Sequence, residues 1–118
     1  MADAGLFVGF GNPVHGREGQ AVDLFNETLA WYGRLQEEGE IDSFEPVFLE
    51  PHGGDLNGFI LIRGDAEKLS ALRVSDEFTQ LTIRAGLLVD NIGVVAADMG
   101  ERLQSQMAFY TEQVGAIA

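Results

Sequence analysis

Three short runs of the chain are apolar at nearly every residue: Leu6-Phe7-Val8-Gly9-Phe10, Phe59-Ile60-Leu61-Ile62 and Ile92-Gly93-Val94-Val95-Ala96-Ala97. Each is too short for an ordinary helix and rich in the β-branched and aromatic residues that suit a pleated surface. Successive side chains of an extended strand point to opposite faces. Leu6, Val8 and Phe10 therefore face one way and Phe7 the other, while Ile60 and Ile62 oppose Phe59 and Leu61. Strands that are apolar on both sides need both sides covered. Any fold open to this chain must enclose a sheet between two layers.

The intervening segments supply helices and a hairpin. From Glu18 to Glu38 the residues Ala21, Phe25, Leu29 and Tyr32, joined by Leu24, Thr28, Trp31 and Leu35, recur at helical spacing, and Gly39 suits the position just past the end. Ser43 to Glu50 has strand composition, but Pro46 lacks a ladder donor, which predicts an edge strand. Pro51-His52-Gly53-Gly54-Asp55 is dense in turn formers and joins it to a strand over Leu56 to Arg63. Asp65 and Ser75 are each placed to cap a helix, so the region from Asp65 to Val89 reads as one broken helix or two in succession, ended by Asp90-Asn91. Leu103, Met107, Tyr110 and Val114 give a C-terminal helix an apolar stripe. The order β-α-β-β-α-β-α contains the split βαβ plan, predicting an α+β, ferredoxin-like antiparallel sheet with its two main helices on one face. A second copy packed sheet to sheet would cover the other face. The rival cover is the C-terminal helix folded beneath its own sheet.

Length and charge narrow the rest. At 118 residues the chain has room for one core, so residues 1–118 are expected to form a single domain. Acidic residues number 19 against 7 basic ones, a formal net charge of −12, and Lys68 is the sole lysine. Such a surface repels phosphate backbones and anionic membranes, which argues against nucleic-acid or membrane partners. With no cysteine there is no disulfide, thiolate site or thiol nucleophile. The start, Met1-Ala2-Asp3-Ala4-Gly5, lacks a signal-peptide pattern, and no apolar run approaches the about 18 residues that cross a bilayer. A cytoplasmic location is the resulting expectation.

The strand Leu6 to Phe10, then Pro13-Val14-His15-Gly16-Arg17-Glu18 opening the first helix, and Ser75-Asp76-Glu77-Phe78 in the second helical region resemble the dimeric α+β barrel superfamily, which includes antibiotic-biosynthesis-monooxygenase-like, EthD-like and YciI-like proteins. The resemblance extends to about Asp98 and singles out no one family. It implies a homodimer with a pocket between sheet and helices or inside the joint barrel. It implies no particular activity or cofactor, because members range from cofactor-free oxygenases and haem enzymes to proteins with no known reaction.

In this topology the loop after the first strand, the hairpin and the connection into the last strand share one end of the sheet. That end carries Asn12, His15, His52, Asp55, Asp90 and Asn91. His15 and His52 are the candidate catalytic acid–base pair. Two other readings stay open: a divalent-metal site built on the same histidines, and exposed loop histidines with no duty. The hairpin lies about 10 Å from the first loop if strand three stands between them, since neighbouring strands are about 4.8 Å apart. Gly9-x-Gly11 follows a strand, yet neither a dinucleotide-binding spacing nor a P-loop Gly-Lys-Ser/Thr completes it. No G-x-S-x-G elbow supports a serine hydrolase. Gly9, Gly58 and Gly93 interrupt strands beside Phe7, Phe10, Phe48, Phe59, Trp31 and Tyr32, a composition that suits either a pocket for an apolar or aromatic small molecule or plain core packing. Asn12, Trp31, Asn57, Phe59, Arg63 and Arg84 are the candidate substrate-binding residues. Taken with the resemblance, these point to a small-molecule-binding dimeric barrel, a cofactor-independent oxygenase or isomerase acting on an apolar or aromatic compound with a rim histidine as base. The alternatives are a non-enzymatic dimeric binding or assembly protein and the divalent-metal-binding protein.

Overall fold

A computed structural model describes residues 3–118; Met1 and Ala2 lie outside the described residues. The apolar runs form strands, and their partners sort the side chains. Strands β1 (Ala4–Phe10), β2 (Ser43–Phe48), β3 (Gly58–Gly64) and β4 (Gly93–Asp98) make one sheet in the order β2-β3-β1-β4, every neighbouring pair antiparallel. Leu6 stands opposite Ile62 and Ala96, and Val8 opposite Ile60 and Val94, so these residues share a face. On the other face Phe7 stands opposite Leu61 and Val95. As expected, β2 with Pro46 is an edge.

The helices are α1 (Glu18–Glu37), α2 (Ala66–Arg73), α3 (Asp76–Leu88) and α4 (Gly100–Ile117). The second helical region is therefore two helices in succession, each held at its start by the residue expected. The Asp65 carboxylate accepts the Lys68 amide at 3.2 Å, and the Ser75 hydroxyl accepts that of Phe78 at 3.3 Å. Gly39, at φ +78°, ends α1, and Asn91, at φ +56°, makes the turn into β4.

The core lies between α1–α3 and the face carrying Leu6, Val8, Ile60 and Ile62, closed by Trp31, Tyr32, Leu35, Ile41, Leu69, Leu72 and Phe78. The other face has no such cover. Phe7, Phe59 and Leu61 are half-buried there, and Val95 is exposed. The C-terminal helix does not fold beneath the sheet: α4 packs chiefly on β4 and none of its residues is buried.

Candidate functional site

Three loops converge at one end of the sheet, the end expected from the topology. The Gly11 amide donates to Asp90 O at 2.7 Å, the Asp90 amide to Asn12 O at 2.8 Å, and the Asn57 amide to Phe10 O at 2.9 Å. Glycine is needed at position 11 because a Cβ there would lie 2.8 Å from Asp90 O and 2.9 Å from Asp55 O, both backbone atoms. The loop after β1 is tied to α3 as well. The Val14 amide donates to Leu88 O at 2.8 Å, and the Arg17 guanidinium donates to Leu87 O at 2.6 Å, placing a cation at the carbonyl end of α3 where the helix dipole favours one.

Between these loops, the first half of α1 and the end of α3 lies a cavity of about 480 Å³. Ala21, Val22, Leu24 and Phe25 of α1 form one wall; Ala85 and Val89, at the end of α3, form another. Val8, Phe10, Phe48, Ile60 and Ile92 form the floor on the sheet side. Phe10, Phe25 and Phe48 meet as a cluster, with centroid separations of 6.0, 6.1 and 5.2 Å. Gly58 makes room for it, since a Cβ at that position would sit 2.8 Å from the Phe10 ring. Polar groups come from Asn12, Asn26, Thr28 and Asn57, and no lining residue carries a charge. The size is that of a small-molecule site, and its chemistry is apolar with a few amides able to fix orientation.

The expected site residues separate. Asn12 and Asn57 line the cavity, whereas Trp31, Phe59, Arg63 and Arg84 do not. Trp31 is buried one helical turn or more beyond the cavity wall, packed on Tyr32 and Phe78 at 5.6 and 6.4 Å between ring centroids. Phe59 lies on the uncovered face, stacked on Phe7 at 5.0 Å, and Arg63 pairs there with Glu45 at 3.5 Å. Both terminal guanidinium nitrogens of Arg84 donate to Glu27, at 2.7 and 3.0 Å, a link between α3 and α1 that holds the Glu27 carboxyl below its usual range.

The histidines occupy separate loops. His52 is engaged within its own hairpin: Nδ1 accepts the Gly54 amide at 3.3 Å, which leaves Nε2 to donate to Leu56 O at 2.7 Å. His15 sits exposed in a turn closed by the Arg17 amide donating to Val14 O at 2.9 Å, with Gly16 at φ +88°. Neither lines the cavity, and among the described residues no group of three or more His, Asp or Glu side chains gathers as a metal site would require. Phe25, Asn26, Thr28, Ala85 and Val89 were not singled out as site residues. Ala21, Thr28 and Ala85 carry the usable signal, being small residues on inward helical positions that cannot fill the space opposite Phe10.

Of Phe7, Phe10, Phe48, Phe59, Trp31 and Tyr32, the aromatics set beside the strand glycines, two reach the cavity. Tyr32 belongs to the core, where burial pushes its phenol well above the usual range.

No protein-family model matches the sequence, and no curated protein does. Solved structures do match the fold. A dimeric protein of unknown function and ferredoxin-like fold from Bacteroides fragilis aligns at TM-score 0.58 and 8% identity, covering 82% of this chain and 97% of its own. The fold is ferredoxin-like. A protein of unknown function from Bacteroides thetaiotaomicron aligns at TM-score 0.60 and 17% identity, over 84% of this chain and all of that one. SnoaB, a cofactor-independent oxygenase from Streptomyces nogalater, aligns at TM-score 0.53 and 18% identity, over 84% and 95%. At these identities the likeness establishes architecture and leaves chemistry to the site. No helix among the described residues is long and apolar enough to cross a membrane.

Proposed function

We propose that this chain is a single-domain cytoplasmic protein that works as a homodimer and takes an uncharged, largely aromatic small molecule into the cavity under α1 and α3. The carrying observation is the cavity itself: about 480 Å³ faced by Phe10, Phe25 and Phe48, with the amides of Asn12 and Asn57 in its lining and no charged lining residue. An anionic ligand would meet neither a cation inside nor a favourable field outside, given the net charge of −12. The amides suit a carbonyl or hydroxyl oxygen at one edge of a ring system.

The reaction that fits this cavity is cofactor-independent oxygenation, the activity of SnoaB, whose fold is shared. Such a reaction draws its electrons from the substrate, so the protein's task is to hold an electron-rich compound with dioxygen away from bulk water. The uncovered sheet face supports the dimer, since Phe7, Phe59, Leu61 and Val95 would otherwise remain in or near water, and the Bacteroides fragilis neighbour is itself dimeric. A second reading, binding without turnover, is favoured by one observation: no titratable side chain lines the cavity.

A panel of neutral hydroxylated and keto polycyclic aromatics tests both readings, with binding followed by native mass spectrometry and turnover by an oxygen electrode. Binding that Ala85→Phe and Thr28→Phe each abolish supports the cavity assignment, and dioxygen uptake then supports the oxygenase. Binding without uptake selects the second reading. Binding that survives both cavity-filling changes sinks the assignment.

A further inference from the structure

α4 is a helix with an apolar stripe and nothing on it. Leu103, Met107, Tyr110, Val114 and Ile117 fall along one side at 3.6 residues per turn, and they are between 46% and 86% exposed. From Leu103 to Ala118 the sole charged residue is Glu112, which the same periodicity places opposite the stripe. The first turn is fixed to its own sheet. The Met99 amide donates to Asp3 O at 2.9 Å and Arg102 Nε donates to Asp98 at 3.1 Å. Beyond that root the helix runs clear of the body, so its stripe and its own uncovered sheet face are both left empty.

We propose that α4 is an arm that docks on a second copy of this chain, each subunit embracing the other about a twofold axis. This rests on the homodimer proposed above and adds how that dimer is held. Charge argues for a second copy over a foreign partner. Two chains of −12 attract only across a neutral patch, and this is where charge is missing: the stripe has none, and on the uncovered face Arg63 and Glu45 neutralise each other. A basic partner would instead seek the acidic remainder of the surface. Area agrees. Tyr110 alone is 68% exposed, and an aromatic side chain can bury about 150–250 Å². With the rest of the stripe and the open sheet face, the apolar area on offer is of the order of the ~800 Å² per subunit that a standard interface buries. An isologous contact uses both empty surfaces at once, twice over.

The test uses the full chain. Tyr110→p-benzoylphenylalanine keeps an aromatic group in the stripe and captures whatever lies against it on irradiation. The expected product is a covalent species of twice the chain mass, and peptide mapping should join α4 to the other subunit. In parallel, Met107→Glu with Tyr110→Glu should weaken the dimer at least 100-fold in a dilution series followed by native mass spectrometry. Ser105→Glu with Ala108→Glu, the same added charge on the opposite side of the helix, should leave it intact. A wild-type dimer whose α4 cross-links only within its own chain, or that tolerates M107E/Y110E, overturns the arm and leaves the dimer standing. A wild-type monomer overturns both.

Discussion

Gly11 is the residue on which the rim of the cavity closes, and Gly11→Ala measures how tightly. The added Cβ would lie 2.8 Å from Asp90 O and 2.9 Å from Asp55 O. Ordinary carbon–oxygen contact is several tenths of an ångström longer, and neither neighbour is a side-chain end that can swing away. The loop after β1 must therefore move from the hairpin, from the turn into β4, or from both. Movement stretches the Gly11–Asp90 bond at 2.7 Å and the Asp90–Asn12 bond at 2.8 Å. Overpacking of this kind costs about 1–3 kcal/mol and each weakened bond up to about 1 kcal/mol more, so a loss of about 3 kcal/mol is expected. For a chain of this size that lowers Tm by about 10 °C. Differential scanning calorimetry at fixed protein concentration is the assay. Gly33→Ala is the control: it lies within α1 with nothing within 4 Å of its Cβ, so it should stabilise by about 0.5–1 kcal/mol. A Gly11→Ala protein melting within 2 °C of wild type would refute the idea that backbone crowding closes the rim.

Three further outcomes follow from the core and the surface. Ile62 is fully buried, and Ile62→Ala should cost about 3–4 kcal/mol in urea unfolding, with the m-value unchanged. Tyr32 has its phenol raised by burial, whereas an unfolded tyrosine ionises near pH 10. The unfolded state alone then releases that proton, so stability should fall as pH rises past about 10, and Tyr32→Phe should flatten this part of the profile. Glu27 is held low by its hydrogen bonds from Arg84, so its contribution is present above the unfolded carboxyl range and lost as pH falls through the folded value. Because both partners are solvent-exposed, Arg84→Met should return the Glu27 carboxyl toward its ordinary value by NMR titration while barely moving the melting curve.

What the sequence determined by itself was local and periodic. Alternation along Leu6 to Phe10 and Phe59 to Ile62 assigned residues to sheet faces, because the period of two follows from the extended backbone alone. Asp65, Ser75, Gly39 and Pro46 marked boundaries and an edge through the hydrogen bonds they make or cannot make. Element order then implied that Asn12, His52 and Asp90 share one end of the sheet, and the hydrogen bonds joining the loops of Asn12, Asn57 and Asp90 bear that out. The tertiary structure alone decided which aromatics meet the cavity. Trp31 and Phe25 sit on one helix with the same apolar character, yet α3 and the sheet close over the second half of α1, while the first half lines the cavity. Phe59 and Arg63 lie away from the cavity for a similar reason, since one residue of register separates the cavity face from the uncovered one. Arg84 and His52 are committed to Glu27 and to a hairpin carbonyl, partners fixed by distances between segments that no pattern of spacing along the chain encodes.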